Sequence, residues 1–389
     1  MGIPSRALPG AASVKRLLLS ACAVVCCSLT FCARTQASAP EYTVTILNQL
    51  PGGSGSETYS INASGEVAGA ASPTSVQSQT DAVVWTGTSP TNLGTLGGLS
   101  SVGYAINASG QVAGWSYAPG LSTYAVVWTG TTPTILPYTQ GAATYAYGIN
   151  AAGQVVGSSY LGGIYNAVVW SGGTATYLST LGGPNGYAYA INSSGQVVGA
   201  SSYNAFGGVQ ATSWTGLTPT ALGGLGGISS YAMAVNSSGQ IAGYAEISTD
   251  SYEHAVLWNG TTPTDLGTLG GAYSFGYGIN DQGNVVGMSD VPGNQTQDAF
   301  LYTGGTMYDL NNLLVPGSGV TDLQIGVAGN SINDNGQIAA TGYVDGADYA
   351  VVLTPVTVPE PSGTALLLAA GVVMGSRRLR RRADWKRRC

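Results

Sequence analysis

The motif (Ile/Val)-Asn-x-x-Gly-x-(Val/Ile)-(Val/Ala) constrains this chain more than any other feature. It first occupies 61–68 and returns with its asparagine at Asn107, Asn150, Asn192, Asn236, Asn280 and Asn333. A strand ending at the asparagine, two turn residues, a glycine and an apolar return strand make a β-hairpin. The glycine, Gly65 in the first copy, suits a left-handed φ in a bulged turn. The asparagine spacings are 45, 43, 42, 44, 44 and 53 residues. Self-similarity at a period in the forties with short strands is the pattern of a propeller blade, and the hairpin is an element of fold, not of catalysis.

Each repeat reads in four parts. Tyr187-Ala188-Tyr189-Ala190-Ile191 alternates bulky and small with period two, and Gln196-Val197-Val198-Gly199 is its return strand. A third strand is a continuous apolar run ending at Trp85, Trp128, Trp170, Trp214, Trp258, Tyr302 or Leu353, as expected of a strand covered on both faces. A fourth follows a Thr-Gly-Thr-Thr-Pro type of turn and stops at paired glycines. The seventh repeat lacks that fourth strand, and a lone strand of the same type stands at 41–50. Pairing it into the last blade closes a ring without a free edge. The expectation is an all-β, seven-bladed β-propeller over 41–354, built from about 44-residue repeats and closed by the N-terminal strand. A β-solenoid is the alternative, but it needs caps that the sequence does not offer. The long last spacing implies about nine extra residues, which this reading places in a loop over 311–321.

Charge narrows the function. All 12 Lys and Arg lie outside the repeats, and 16 of the 18 acids lie within 41–353. A body with no Lys or Arg repels phosphate backbones, so nucleic acid is excluded as a partner of the repeats. The five cysteines, Cys22, Cys26, Cys27, Cys32 and Cys389, are also terminal, so the repeats use no disulfide or Cys-ligated metal.

The ends read as addresses. Residues 1–37 form a signal peptide: Lys15 and Arg16, an apolar run over 17–31, then Ala37-Ser38-Ala39, with a signal-peptidase cut after Ala37 because Pro40 hinders cleavage after Ala39. A lipobox-like Leu19-Ser20-Ala21-Cys22 has only five apolar residues before the cut, short of a signal core. A Pro-rich linker spans 355–362, an apolar segment 363–376 and a basic tail 377–389. The apolar segment is short for a full membrane span, and the arginines beyond it would stay cytoplasmic during export.

Val358-Pro359-Glu360-Pro361-Ser362, followed by that segment and the Arg cluster, resembles the PEP-CTERM sorting signal of Gram-negative bacteria. The resemblance implies recognition of Pro359, Glu360 and Pro361 by an exosortase-type membrane protease. It also implies transient anchoring in the inner membrane and delivery to the cell surface or extracellular polysaccharide. The repeats resemble extracellular HAF repeats, with His254-Ala255-Val256 and Asp298-Ala299-Phe300 at the third strand; elsewhere Asp81, Tyr124, Asn166, Gln210 or Tyr349 replaces the histidine. That resemblance implies an extracellular location and no established activity.

Candidate chemistry is sparse. His254 is the only histidine, so a His-rich metal site cannot form within one chain. Asp81, Glu253, Asp265, Asp298 and Asp309 could pair for glycoside hydrolysis, but they fall where the repeat puts them. No cofactor is expected. Ca²⁺ is the one candidate, motivated by the acid excess, although no Asp-x-Asp-x-Asp-Gly loop is present. The recurring tryptophans read as blade packing, and the aromatic residues outside the strand pattern, Trp115, Tyr117, Tyr160 and Tyr203, as the ligand candidates. The reading is an exported, non-enzymatic surface or matrix module binding polysaccharide or protein. The alternative is a carboxylate enzyme acting on exopolysaccharide.

Overall fold

The computed structural model describes residues 39–356 except 75–78, 121, 205–207, 249–251 and 294–295. The signal peptide, the Pro-Glu-Pro motif, the apolar segment and the basic tail all lie outside the described residues. Among those described, no helix is long and apolar enough to cross a membrane.

Seven four-stranded antiparallel sheets make a seven-bladed β-propeller. Blade 1 runs outward from Ser56–Ile61 through Val67–Ala71 and Asp81–Thr86 to Ser89–Gly94. Blades 2 to 6 repeat this order over 101–135, 143–177, 186–221, 226–265 and 274–309. Blade 7 takes Thr321–Gln324, Ile338–Val344 and Ala347–Pro355 from the C-terminal side, and its outer strand is Tyr42–Ile46, paired from Tyr42↔Pro355 to Ile46↔Val351. The last strand thus ends one residue beyond the expected 354.

Buried apolar residues gather in seven clusters, one at each seam between neighbouring blades. At the seam of blades 1 and 2, for example, Ala82 and Leu93 meet Ile106, Val126 and Trp128. The recurring tryptophans are at most 2% exposed, and burial of each such ring is worth about 2–3 kcal/mol. Four of the five indoles donate back to a main-chain carbonyl: Trp85 to Asn48, Trp170 to Pro137, Trp214 to Ser179 and Trp258 to Gly223. Hydroxyls also cross seams, as where Ser101 Oγ accepts from Ala82 N–H and Ser274 Oγ from Ala255 N–H.

The hairpin motif does more than turn the chain. In each copy the glycine N–H donates to the asparagine carbonyl, and the glycine is left-handed, with φ +83° at Gly65 and +82° at Gly195. The asparagine side chain then reaches the next blade. Its Nδ2 donates to the main-chain oxygen of the following copy's asparagine, Asn62 to Asn107, then Asn150, Asn192, Asn236, Asn280 and Asn333, and Asn333 returns to Asn62. These seven bonds of 3.0–3.2 Å form a closed belt around one mouth of the ring. Meanwhile Oδ1 accepts the N–H four residues on, at Glu66, Gln111, Gln154, Gln196, Gln240, Asn284 and Gln337.

Blade 7 breaks the pattern, and not where the spacing alone suggests. From the start of the innermost strand to the turn asparagine is 6 residues in blade 6, Ser274 to Asn280, but 12 in blade 7, Thr321 to Asn333. Most of the extra length therefore follows Thr321–Gln324 instead of filling 311–321, where a short 3₁₀ helix, Leu310–Leu313, accounts for the rest. The added segment enters the centre of the ring. Asn330 Oδ1 accepts from Ile279 N–H, its Nδ2 donates to Ile279 O, and its own carbonyl accepts from Ile61 N–H. Gly329 lies so close to blade 2 that a Cβ there would stand 2.1 Å from Tyr104 O.

Candidate functional site

The mouth opposite the asparagine belt is built by a defect in the innermost strands. In blade 1, Thr58 pairs with Gly69 and Ser60 with Ala68, leaving Tyr59 unpaired in a β-bulge. The same register shift skips Tyr104, Tyr147, Tyr189, Met233 and Tyr277 in blades 2 to 6. A bulge re-aims the residue it extrudes, here an aromatic one in five blades of six. The return strand must approach closely to allow this. A Cβ on Gly69, Gly114, Gly157, Gly199, Gly243 or Gly287 would fall 1.8–2.0 Å from the carbonyl two residues before the bulge. Blade 7 has Ala340 at that place, and its register shift falls instead between Thr321 and Gln324.

Tyr147 and Tyr189 line the central channel together with Gly329 and Asn330, around a cavity of about 170 Å³. Ring contacts run from blade to blade: Tyr59–Tyr104 at 5.0 Å, Tyr104–Tyr147 at 5.7 Å and Tyr147–Tyr189 at 5.7 Å. A second tier two residues earlier lies parallel to the first, with Tyr145 against Tyr147 at 6.3 Å, Tyr187 against Tyr189 at 6.0 Å and Phe275 against Tyr277 at 6.2 Å. It spreads outward over the blade tops, through Trp115 in blade 2 and through Tyr165 to Tyr160 from blade 4 to blade 3. Across the ring, Tyr231, Tyr244 and Phe275 join blades 5 and 6.

Burial sets the acid–base character of these rings. It pushes the hydroxyls of Tyr147 and Tyr277 up to about 12, the first partly offset by the nearby Ser158 side chain. Tyr59 is pushed far above the phenol range by burial and then by Glu57, whose Oε2 accepts its hydroxyl at 2.8 Å. Tyr104 is raised by burial and partly relieved by the Trp115 indole N–H, 3.2 Å from its oxygen. The hydroxyls are therefore neutral at physiological pH and serve as hydrogen-bond donors and acceptors beside apolar faces.

The candidate ligand residues sort unequally. Trp115 and Tyr117 touch edge to face at 5.0 Å, and Tyr160 packs on Tyr165 at 4.6 Å, so these three belong to the aromatic mouth. Tyr203 stands apart, its ring filling the space beside Gly208. The larger part of the mouth, Tyr59, Tyr104, Tyr147, Tyr189 and Tyr277, comes from inside the strand pattern and not from outside it. The available signal was the recurrence of an aromatic residue three places before the turn asparagine.

Three of the candidate acids have structural partners. Asp81 accepts from Asn92, Asp265 lies 3.0 Å from His254 Nδ1, and Asp309 accepts from Asn311 N–H at the start of the 3₁₀ helix. Thus the histidine pairs across adjacent strands with an exposed carboxylate. Glu253 is raised by burial and by Glu246, its directly opposite strand partner. Asp298 is raised by burial and then by Asp309 and Asp322, and it lines a cleft of about 530 Å³ with Asp322, Asp348, Tyr277, Gln324 and Tyr343. Among the described residues no group of three or more His, Cys, Asp or Glu is placed to hold a metal ion.

No protein-family model matches the chain, and no curated protein does. Among solved structures, it is similar to the β-propeller domain of the Trilobed protease from Pyrococcus furiosus, which has an open velcro topology. The two are 8% identical over 75% of this chain and 90% of that one, with a TM-score of 0.47. It is also similar to a gluconolactonase from Xanthomonas campestris, at 9% identity over 82% of this chain and 96% of that one, TM-score 0.37. A mutant of AofleA from Arthrobotrys oligospora matches at 10% identity over 72% of this chain and 92% of that one, TM-score 0.36. These likenesses transfer no activity to this chain.

Proposed function

We propose that this propeller is an exported, non-enzymatic binding module whose aromatic mouth takes polysaccharide at the cell surface or in the extracellular matrix. One observation carries the reading. A lattice of aromatic rings in contact opens at one mouth of a body that has no Lys or Arg between 35 and 376. Aromatic faces accept the C–H faces of sugar rings, while the neutral tyrosine hydroxyls meet sugar hydroxyls. An anionic polymer would find no cation and a field of its own sign. The address is supported by the resemblance of Pro359, Glu360 and Pro361 to a sorting motif and by the signal-peptide pattern of 1–37.

A pull-down with neutral and acidic polysaccharides tests this. Neutral polymers are expected to retain the purified chain and acidic ones to leave it in solution. No retention on any neutral polymer, or retention on acidic polymers alone, overturns the proposal.

The cleft between blades 6 and 7 favours a second reading, hydrolysis. Asp298, whose carboxyl is raised by burial and then by Asp309 and Asp322, is the candidate general acid, and Asp322 and Asp348 line the same space. Under that reading the purified chain releases reducing ends from an exopolysaccharide and Asp298→Asn abolishes the release. Absence of release removes the reading.

A further inference from the structure

Given that the aromatic mouth binds sugar, we infer that it grips an internal stretch of an extended, unbranched chain laid along a crescent from blade 1 to blade 4, and not a chain end inserted into the channel. Three features carry this. The first is continuity: the bulge tyrosines of four successive blades, Tyr59, Tyr104, Tyr147 and Tyr189, touch in series at 5.0, 5.7 and 5.7 Å. Steps of that size are comparable with one sugar unit of an extended polymer, so successive units meet successive blades.

The second is that the crescent ends. Blade 5 has Met233 at the bulge, and in blade 7 the register shift falls between Thr321 and Gln324, where no aromatic residue stands. The tyrosine series is therefore an open arc. The rings that continue it lead outward across the blade tops, to Trp115 from the blade 2 side and through Tyr187 and Tyr165 to Tyr160 from the blade 4 side.

The third is that the channel is blocked. Asn330 is bonded to Ile279 of blade 6 and Ile61 of blade 1, and Gly329 is pressed against Tyr104 O. A polymer cannot thread past this segment, whereas one lying across the mouth needs no passage. The uncharged character of the occupant follows from the absence of Lys and Arg between 35 and 376 and the excess of acids there, which disfavour uronate or sulfate chains.

Calorimetry with the purified mature chain tests the inference, using a neutral unbranched β-glucan as a disaccharide and a hexasaccharide, the latter with free or methyl-capped ends. The hexasaccharide should bind at least about tenfold more tightly than the disaccharide, and capping both ends should change its Kd by less than about twofold. Trp115→Ala and Tyr187→Ala, on opposite sides of the crescent, should each weaken hexasaccharide binding by about tenfold. Tyr138→Ala, an exposed ring outside the crescent, serves as the control and should leave binding unchanged. Equal affinity for the two lengths, loss of binding on capping, or sensitivity to only one of the two variants overturns the crescent and leaves sugar binding standing. Failure of every neutral oligosaccharide to bind at about 1 mM overturns both. Circular dichroism matched to the parent confirms that a weakened variant is folded.

Discussion

At the belt-side mouth the same asparagine makes the same donation to the next blade seven times over, whereas at the opposite mouth equivalent positions differ from blade to blade. Eight residues past each turn asparagine stand Ala70, Trp115, Ser158, Ala200, Tyr244, Met288 and Thr341. The bulge position is Tyr59, Tyr104, Tyr147, Tyr189, Met233 or Tyr277 in blades 1 to 6. Regularity thus marks the side that holds the ring together. The other mouth combines a bulge position that keeps tyrosine in five blades of six, where rings touch the next blade, with a position on the return strand that varies in size and polarity.

Alkaline titration should separate the two mouths most forcefully. The tyrosines are raised in the fold, Tyr147 and Tyr277 from 10 to about 12, so their neutral forms are favoured by folding. The stability they contribute is fully present below pH 10 and is lost as pH rises toward about 12. Tyrosinate absorbance and circular dichroism should therefore change together in that window. Ionisation of these tyrosines well before unfolding would show that the aromatic mouth is not packed as described.

Gly199→Ala comes next. The new methyl group would lie 1.9 Å from Tyr187 O, and forcing the strands apart should cost about 3 kcal/mol in urea denaturation. Ala340→Gly, at the matching place in blade 7, whose register shift lies elsewhere, between Thr321 and Gln324, should cost no more than about 1 kcal/mol. Equal effects would detach the glycine from the bulge. Asn192→Ala strikes the other mouth. It frees the N–H groups of Ser194 and Gln196 and removes one of the two donors to the Asn236 carbonyl, which keeps Gly239 N–H, and should cost about 2–3 kcal/mol.

Gly195→Ala, at φ +82°, should cost about 1–2 kcal/mol, and an unchanged melting curve would sink the turn assignment. Smallest of all, Tyr160→Ala should change stability by less than about 0.5 kcal/mol, because the ring is 39% exposed. A larger change would mean that the outer rings are structural and would blur the contrast between the mouths.

Much of the architecture was legible because it is local or periodic. The turn glycine, the count of blades and the displaced strand at Tyr42–Ile46 follow from spacing and from turn chemistry. The aromatic mouth was harder to read. Tyr187-Ala188-Tyr189-Ala190 scans as plain alternation, yet pairing skips Tyr189, and period two carries no mark of a skipped residue. The telling sign lay on the partner strand, in six glycines from Gly69 to Gly287 answered by Ala340 in the seventh copy. The belt was invisible for a different reason. Its bonds join residues more than forty positions apart, and the asparagine was already accounted for by its own turn. The extra length of blade 7 was misplaced because a spacing reports how much chain is added but not on which side of a strand.

The asparagine belt runs in one rotational sense, each side-chain amide donating an N–H to the blade ahead, and no member of it senses how many others there are. Such a rule cannot count, and six or eight copies could obey it as well as seven. Ring size must therefore be decided elsewhere, in the wedge of the seams and in the one blade that departs from the pattern, whose Gly329 and Asn330 occupy the space left at the hub. A chain lengthened by one duplicated repeat would keep every bond of the belt and leave that segment too small for the hole it fills.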